Sequence, residues 1–219
     1  MDEARKRLRD IHDEVPPDYY DASMRDNLFQ RIWHTRRIEV VSGLLKGESG
    51  FLLDIGSAGG TLLERIFKAS GIKGAVGIDA SIEAVRYAAK AHSGPAPGGP
   101  FFLSADFYEL PFPDRTFALV SAIEVLEHLH DPKNALTEIK RCLKDNGRIV
   151  VLVPNENNPL FRLIWWFWTK GKGRVWKEAH VQKFTKGSLK GLLKEAGFRV
   201  IETRMFLLGM LMAMKAVKE

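Results

Sequence analysis

Five small residues in a row, Gly56-Ser57-Ala58-Gly59-Gly60, follow the apolar stretch FLLDI and precede a segment of helical spacing that starts at Thr61. A backbone nearly bare of side chains at the end of a buried strand lets a ligand lie against the first turn of the next helix. The same run also suits a plain strand-to-helix corner, and a glycine motif alone is a weak signal. A second residue changes the balance. In GAVGIDAS, Asp79 stands 25 residues after Asp54, at the end of the next apolar stretch. A carboxylate there can accept hydrogen bonds from both hydroxyls of a ribose, or cap the helix that follows. Ala80 and Ser81 share that corner.

Adenosine occurs in both nicotinamide dinucleotides and S-adenosylmethionine, so a ribose-binding acid does not separate them. The turn does. A dinucleotide fingerprint asks for Gly-x-Gly-x-x-Gly with the pyrophosphate on the helix, and Gly56–Gly60 is one residue too compact. Asp54, beside the turn, would repel a pyrophosphate but accommodate a cationic ligand. S-adenosylmethionine is the cofactor these residues favour.

The elements that must position such a site follow from periodicity. Phe51–Ile55, Ala75–Asp79, Phe101–Ala105, Thr116–Ala122 and Gly147–Val153 read as strands, with helices over Thr61–Ala69, Ser81–Ala91 and Pro132–Leu143. Four of these strands are apolar without alternation, the sign of a parallel sheet covered on both faces. Lys186–Ala196 reads as a helix closed by Gly197, followed by strands Phe198–Thr203 and Leu211–Val217. The fold class is therefore α/β: a doubly wound, mostly parallel seven-stranded sheet with helices on both faces. Upstream, residues 1–14 form a charged, frayed helix, Asp18–Asp21 a turn, and Met24–Leu45 one helix. This divides the chain into an N-terminal helical cap segment (1–45) and a ligand-binding domain (46–219) carrying an aromatic and basic insertion at 156–180.

Composition narrows the setting. Of 219 residues, 45% are hydrophobic and 27% charged, ordinary for a globular protein. The lone cysteine, Cys142, rules out an intrachain disulfide, and MDEARKRLRD lacks the apolar core of a signal peptide. A cytoplasmic location is expected. Apolar runs reach about ten residues, short of the roughly 20 that span a bilayer. The net charge of +6 is local: from Arg162 to Lys194 there are nine Lys or Arg against one acid, Glu178. Any anionic partner belongs there.

Further along, ADFYELPFPDRTFALVSAIEVLEHLHDPKNALTEIKRCLKDNGRIVVLVPN (Ala105–Asn155) resembles the central block of class I S-adenosylmethionine-dependent methyltransferases, of the methyltransferase type 11 (UbiE-like) group. HVQKFTKGSLKGLLKEAGFRV (His180–Val200) is similar to the closing segment of that family. The resemblance covers roughly residues 50–217 and implies a Rossmann-like methyltransferase fold. It implies that Gly56, Ser57, Ala58, Gly59 and Gly60 line the methionine part of the cofactor and that Asp79 binds its ribose. Asp106 would take the adenine amino group, with Phe107 beside the ring. Ile123 and Glu124 would lie near the methionine portion or the substrate entrance. Ala58 departs from the family, standing where a glycine is usual.

Methyl transfer from a sulfonium is an in-line displacement that asks mainly for position and orientation. A hydroxyl acceptor adds the need for a base, and His180, His128 and Glu124 are the catalytic candidates; His128 and Glu127 also suit structural roles. No Ser-His-Asp arrangement, phosphate loop or zinc-type cluster occurs, and a metal is not called for. Tyr20, Trp33, Trp166 and His180 are candidate substrate contacts. In Asn158–His180, aromatics beside lysines suit an apolar lid over a small-molecule or lipid-like acceptor, an anionic membrane surface met through 161–177, or RNA. Nucleic acid ranks last, because the basic run is short. Oligomeric state is not legible. The rivals are a nicotinamide-dependent oxidoreductase, which the compact turn and the central block oppose, and a non-catalytic binding or adaptor protein on the same fold.

Overall fold

The structure, a computed structural model, describes residues 15–93, 99–171 and 179–219. Seven strands form one sheet in the order β3-β2-β1-β4-β5-β7-β6. They are β1 (Phe51–Ile55), β2 (Gly74–Asp79), β3 (Phe101–Ser104), β4 (Phe117–Ile123), β5 (Leu143–Pro154), β6 (Phe198–Phe206) and β7 (Leu211–Lys218). β1 to β5 run parallel, and β7 enters antiparallel between β5 and β6. The order reverses between β1 and β4. Ligands of open α/β sheets bind at such a switch point, outside the carboxyl ends of the strands.

Strand residues alternate between two cores, because successive side chains point to opposite faces. Leu53, Ile149, Val151 and Val153 pack with Ala135, Leu136 and Ile139 of α5 (Pro132–Cys142) and Leu189 and Leu193 of α7 (Lys186–Glu195). Leu52, Val150 and Leu152 pack with Leu62, Leu63 and Ile66 of α3 (Thr61–Ser70) and with Val41, Leu44 and Leu45 from the helix before β1. Covering both faces is why Ile149–Val153 of β5 reads as an unbroken apolar run. α4 (Ile82–His92) starts at Ser81, whose hydroxyl accepts the Ala84 amide and caps the helix.

Two local expectations are corrected. Asp18–Asp21 is not a turn: Tyr19–Asp26 is a helix, α1. Met24–Leu45 is not continuous either. The chain leaves helical geometry at Asn27 (φ −133°, ψ 113°), whose side chain accepts the Gln30 amide and caps a new helix, α2 (Leu28–Leu45). Apolar spacing ran across the break, but a local side-chain cap outweighed it. The frayed helix expected over residues 1–14 lies outside the described residues, as do 172–178 of the basic stretch. Within the insertion, Asn158 caps α6 (Pro159–Thr169), with Pro159 at its first position.

Candidate active site

One cavity of about 220 Å³ opens over the carboxyl ends of β1, β2 and β4. Its floor is backbone. The chain leaves β1 through Gly56 (φ 72°) and Ala58 (φ 45°), a left-handed course that costs a side-chain-bearing residue something on the order of 1 kcal/mol. Asp79 holds this turn: its Oδ2 accepts the Ala58 amide at 2.8 Å, and its Oδ1 accepts the Ser81 amide at 2.9 Å. A carboxylate has about four acceptor sites, and here two of its contacts fix backbone amides of the turn and of the corner at Ser81. At Gly59 a Cβ would lie 2.2 Å from the Pro17 carbonyl oxygen. The Val15–Pro17 segment thus crosses directly over the turn and joins the cavity wall.

Of the residues singled out from the sequence, Gly56, Ala58, Gly59, Asp79, Ala80, Ser81, Asp106, Phe107, Ile123 and Glu124 meet on this wall, as do Tyr20, Trp33, His128 and His180. Four do not reach it. Asp54 is buried beneath the turn, accepting the Ser121 hydroxyl at 2.6 Å. Burial, opposed by that hydrogen bond, pushes its carboxyl up to about 7. It supports the floor and does not line the cavity. Ser57 and Gly60 pack behind the turn, where a Cβ on Gly60 would strike Phe102 and Ala88. Trp166 faces outward, 51% exposed, with the Lys170 ammonium 3.4 Å over its ring.

The sequence reading missed Arg37. It is 2% exposed on the inner side of α2, although Arg is almost never buried without partners. One guanidinium nitrogen donates to His34 Nδ1 at 2.8 Å and another pairs with Glu124 at 2.9 Å. Its Nε has no hydrogen-bond partner. Burial and the adjacent Arg37 hold His34 neutral, its pKa pushed down to about 2. Glu124 itself sits at φ 55°, its amide bonded to the Leu152 carbonyl at 2.7 Å. A second strained, non-glycine residue at the same cavity is typical of a functional site. The spacing of His34 and Arg37, one turn apart inside an apolar stripe, was the available signal.

The opposite end is built from side chains. Along α6, Phe161, Ile164, Trp165 and Trp168 face the cavity at helical spacing, and Tyr20, Phe29 and Trp33 face it from α1 and α2. Trp165 stacks on His180 with ring centroids 4.4 Å apart. The 3₁₀ turn Leu126–His128 anchors the segment carrying His180: the Glu127 carbonyl accepts the Val181 and Gln182 amides, each at 2.9 Å. His128 Nδ1 meets the Ala179 carbonyl, and His180 Nδ1 meets Glu156, both at 2.8 Å. Glu127 is 1% exposed, and burial, reinforced by Glu124, raises its carboxyl well above the usual range. Its own backbone amide steadies the charge slightly without reaching hydrogen-bond geometry.

The family described as a methyltransferase domain matches residues 24–203. A demethylmenaquinone methyltransferase of Chlamydia caviae is 27% identical over 220 residues, covering 92% of each chain. An uncharacterized protein of Methanocaldococcus jannaschii is 46% identical over 56 residues; that match spans 26% of this chain and only 24% of the other. Among solved structures, magnesium protoporphyrin IX methyltransferase from Synechocystis PCC 6803, with bound SAH, superposes with a TM-score of 0.72 at 17% identity, over 98% of this chain and all of that one.

Proposed function

The chain belongs to the methyltransferase domain family and takes S-adenosylmethionine as its cofactor, and from that premise we propose that it methylates a small, largely apolar acceptor held between α1, α2 and α6. The observation that carries this reading is the single continuous cavity, with a polar backbone end at the strand tips and an aromatic end beneath α6.

The residues present fit the cofactor. The bare turn at Gly56 and Gly59 admits it, Asp79 receives the ribose hydroxyls, and Asp106 with Phe107 holds the adenine. The unpartnered Nε of Arg37 suits the methionine carboxylate, while Glu124 offers negative charge to the ammonium. Bound there, the cofactor supplies an already activated methyl group. What remains for the protein is to orient the acceptor and to take up a proton where the acceptor is a hydroxyl. Trp165, Trp168 and Trp33 fix an apolar body, and the carboxylate–imidazole cluster around His180 receives its polar end. The Chlamydia relative, named for demethylmenaquinone, supports a small-molecule acceptor. Calorimetric titration tests the cofactor assignment: saturable binding of S-adenosylmethionine with no response to NAD is expected, and silence toward S-adenosylmethionine in folded, ligand-stripped protein overturns it.

A second reading rests on the outer face of α6. Leu163, Trp166 and Phe167 are 54%, 51% and 62% exposed beside Lys170. Among the described residues no helix is long and apolar enough to cross a membrane. An exposed apolar stripe with basic neighbours seats a protein on an anionic surface instead. Flotation with anionic vesicles is expected for the parent and lost on joint replacement of these three residues by Ser. Equal flotation of both would dismiss the idea.

A further inference from the structure

Beside His128 and His180, which line the acceptor end of the cavity, lies a buried carboxyl outside the lining. Both carboxylate oxygens of Glu127 are buried without a hydrogen-bond partner, and the anchoring of residues 179–182 is done by its backbone carbonyl, not its side chain. A buried carboxyl left in this way is costly to the fold. One ligand atom each from Glu127, His128 and His180 lie within 4.8 Å of one another. Glu124 and Glu156 add negative charge nearby.

The two histidines are held in a telling way. His128 Nδ1 is engaged by the Ala179 carbonyl and His180 Nδ1 by the Glu156 carboxylate. In a neutral ring the Glu156 contact keeps the hydrogen of His180 on Nδ1 and its lone pair on Nε2. A carbonyl or carboxylate behind an imidazole is the arrangement that fixes the tautomer of metal-bound histidines.

We propose that Glu127, His128 and His180 bind a divalent transition-metal ion. Two imidazoles and one carboxylate match zinc, manganese or cobalt better than calcium, and three protein ligands leave a coordination position open toward the cavity. Ligand atoms around such an ion stand roughly 3.3 Å apart in tetrahedral geometry, so the set contracts by small side-chain rotations. The open position takes an acceptor oxygen, orients it and eases loss of its proton to solvent. That role rests on the methyl-transfer reading; binding of the ion does not.

The test is equilibrium dialysis of chelator-stripped full-length protein against Zn²⁺, Mn²⁺ and Co²⁺, with the Co²⁺ visible spectrum recorded. S-adenosylmethionine calorimetry on the same samples checks the fold and the cofactor reading separately. One saturable ion per chain is expected. Glu127→Gln and His180→Gln should each weaken binding about tenfold or more, and Glu156→Gln, which only steadies His180, by about tenfold. The proposal falls if stripped protein that still binds S-adenosylmethionine takes up none of the three ions. It falls equally if Glu127→Gln and His180→Gln bind as tightly as the parent. Ion binding without S-adenosylmethionine binding would uphold the metal site and overturn the cofactor assignment instead.

Discussion

The two ends of the cavity are made by different means. At the end where the cofactor is proposed to bind, the wall is built at consecutive strand tips: one turn after β1, one acid ending β2, one acid after β3, one corner after β4. At the acceptor end, the wall is side chains from α1, α2, the 3₁₀ turn, α6 and the segment at His180, separated by up to 160 residues in the chain. A wall of strand tips inherits its placement from sheet register, whereas a wall of helices depends on long-range packing. Perturbing the first should therefore act on cofactor affinity, and perturbing the second on acceptor recognition.

The sharpest challenge is Arg37→Met, because Arg37 serves both ends. It removes the partner of Glu124 and His34 and should cost about 3–5 kcal/mol in denaturant unfolding, as expected when one member of a buried pair is deleted. A loss below 1 kcal/mol would show the pair to be solvated.

Asp54 tests the floor alone. With its carboxyl at about 7 in the fold against 3.8 ordinarily, the folded protein holds a proton that the unfolded chain releases. Stability from this group is greatest below about pH 4, declines as pH rises to 7, and stays reduced above. The span is on the order of 4 kcal/mol, and Asp54→Asn should remove it. His34, kept neutral, works in the other direction below about pH 6.5, so the difference between parent and variant is the quantity to measure.

Asp79→Ala follows, lowering S-adenosylmethionine affinity on the order of a hundredfold, since charged hydrogen bonds to ligand and turn vanish together. Calorimetry showing an unchanged Kd would end the ribose assignment. Trp165→Ala should lower acceptor kcat/KM about tenfold while leaving cofactor Kd unchanged; a matching fall in cofactor affinity would erase the distinction between the two ends. Smallest is Ala58→Gly, which relieves the left-handed strain at φ 45° and should stabilise the protein by about 1 kcal/mol in thermal unfolding.

Legibility in the sequence divides along the same line. Sheet class, strand places and the turn with Asp79 followed from local patterns, because strand, turn and helix are contiguous; Asp106, Phe107, Ile123 and Glu124 came only from the resemblance of Ala105–Asn155 to a methyltransferase block. Asp54 misled for a physical reason: an acid beside a ligand turn and an acid beneath it look identical until Ser121, 67 residues away, is brought to it. Asn27 could have been recognised as a cap, but the apolar spacing around it was continuous. Glu127 and His128 share one short motif, yet nothing local foretells that His180 folds onto them. In α6 the aromatics were visible, but only helix phase separates Trp165, turned inward, from Trp166, turned out.

The meeting of Gly59 with the Pro17 carbonyl ties two distant parts of the chain together. The segment before α1 rests across the turn, and the missing side chain of Gly59 is the clearance that lets it lie there. A methyl group at that position would act as a wedge: strand, turn and helix would keep their own hydrogen bonds while the segment before α1 lost its seat, so one wall of the cavity would be displaced without any change to the sheet.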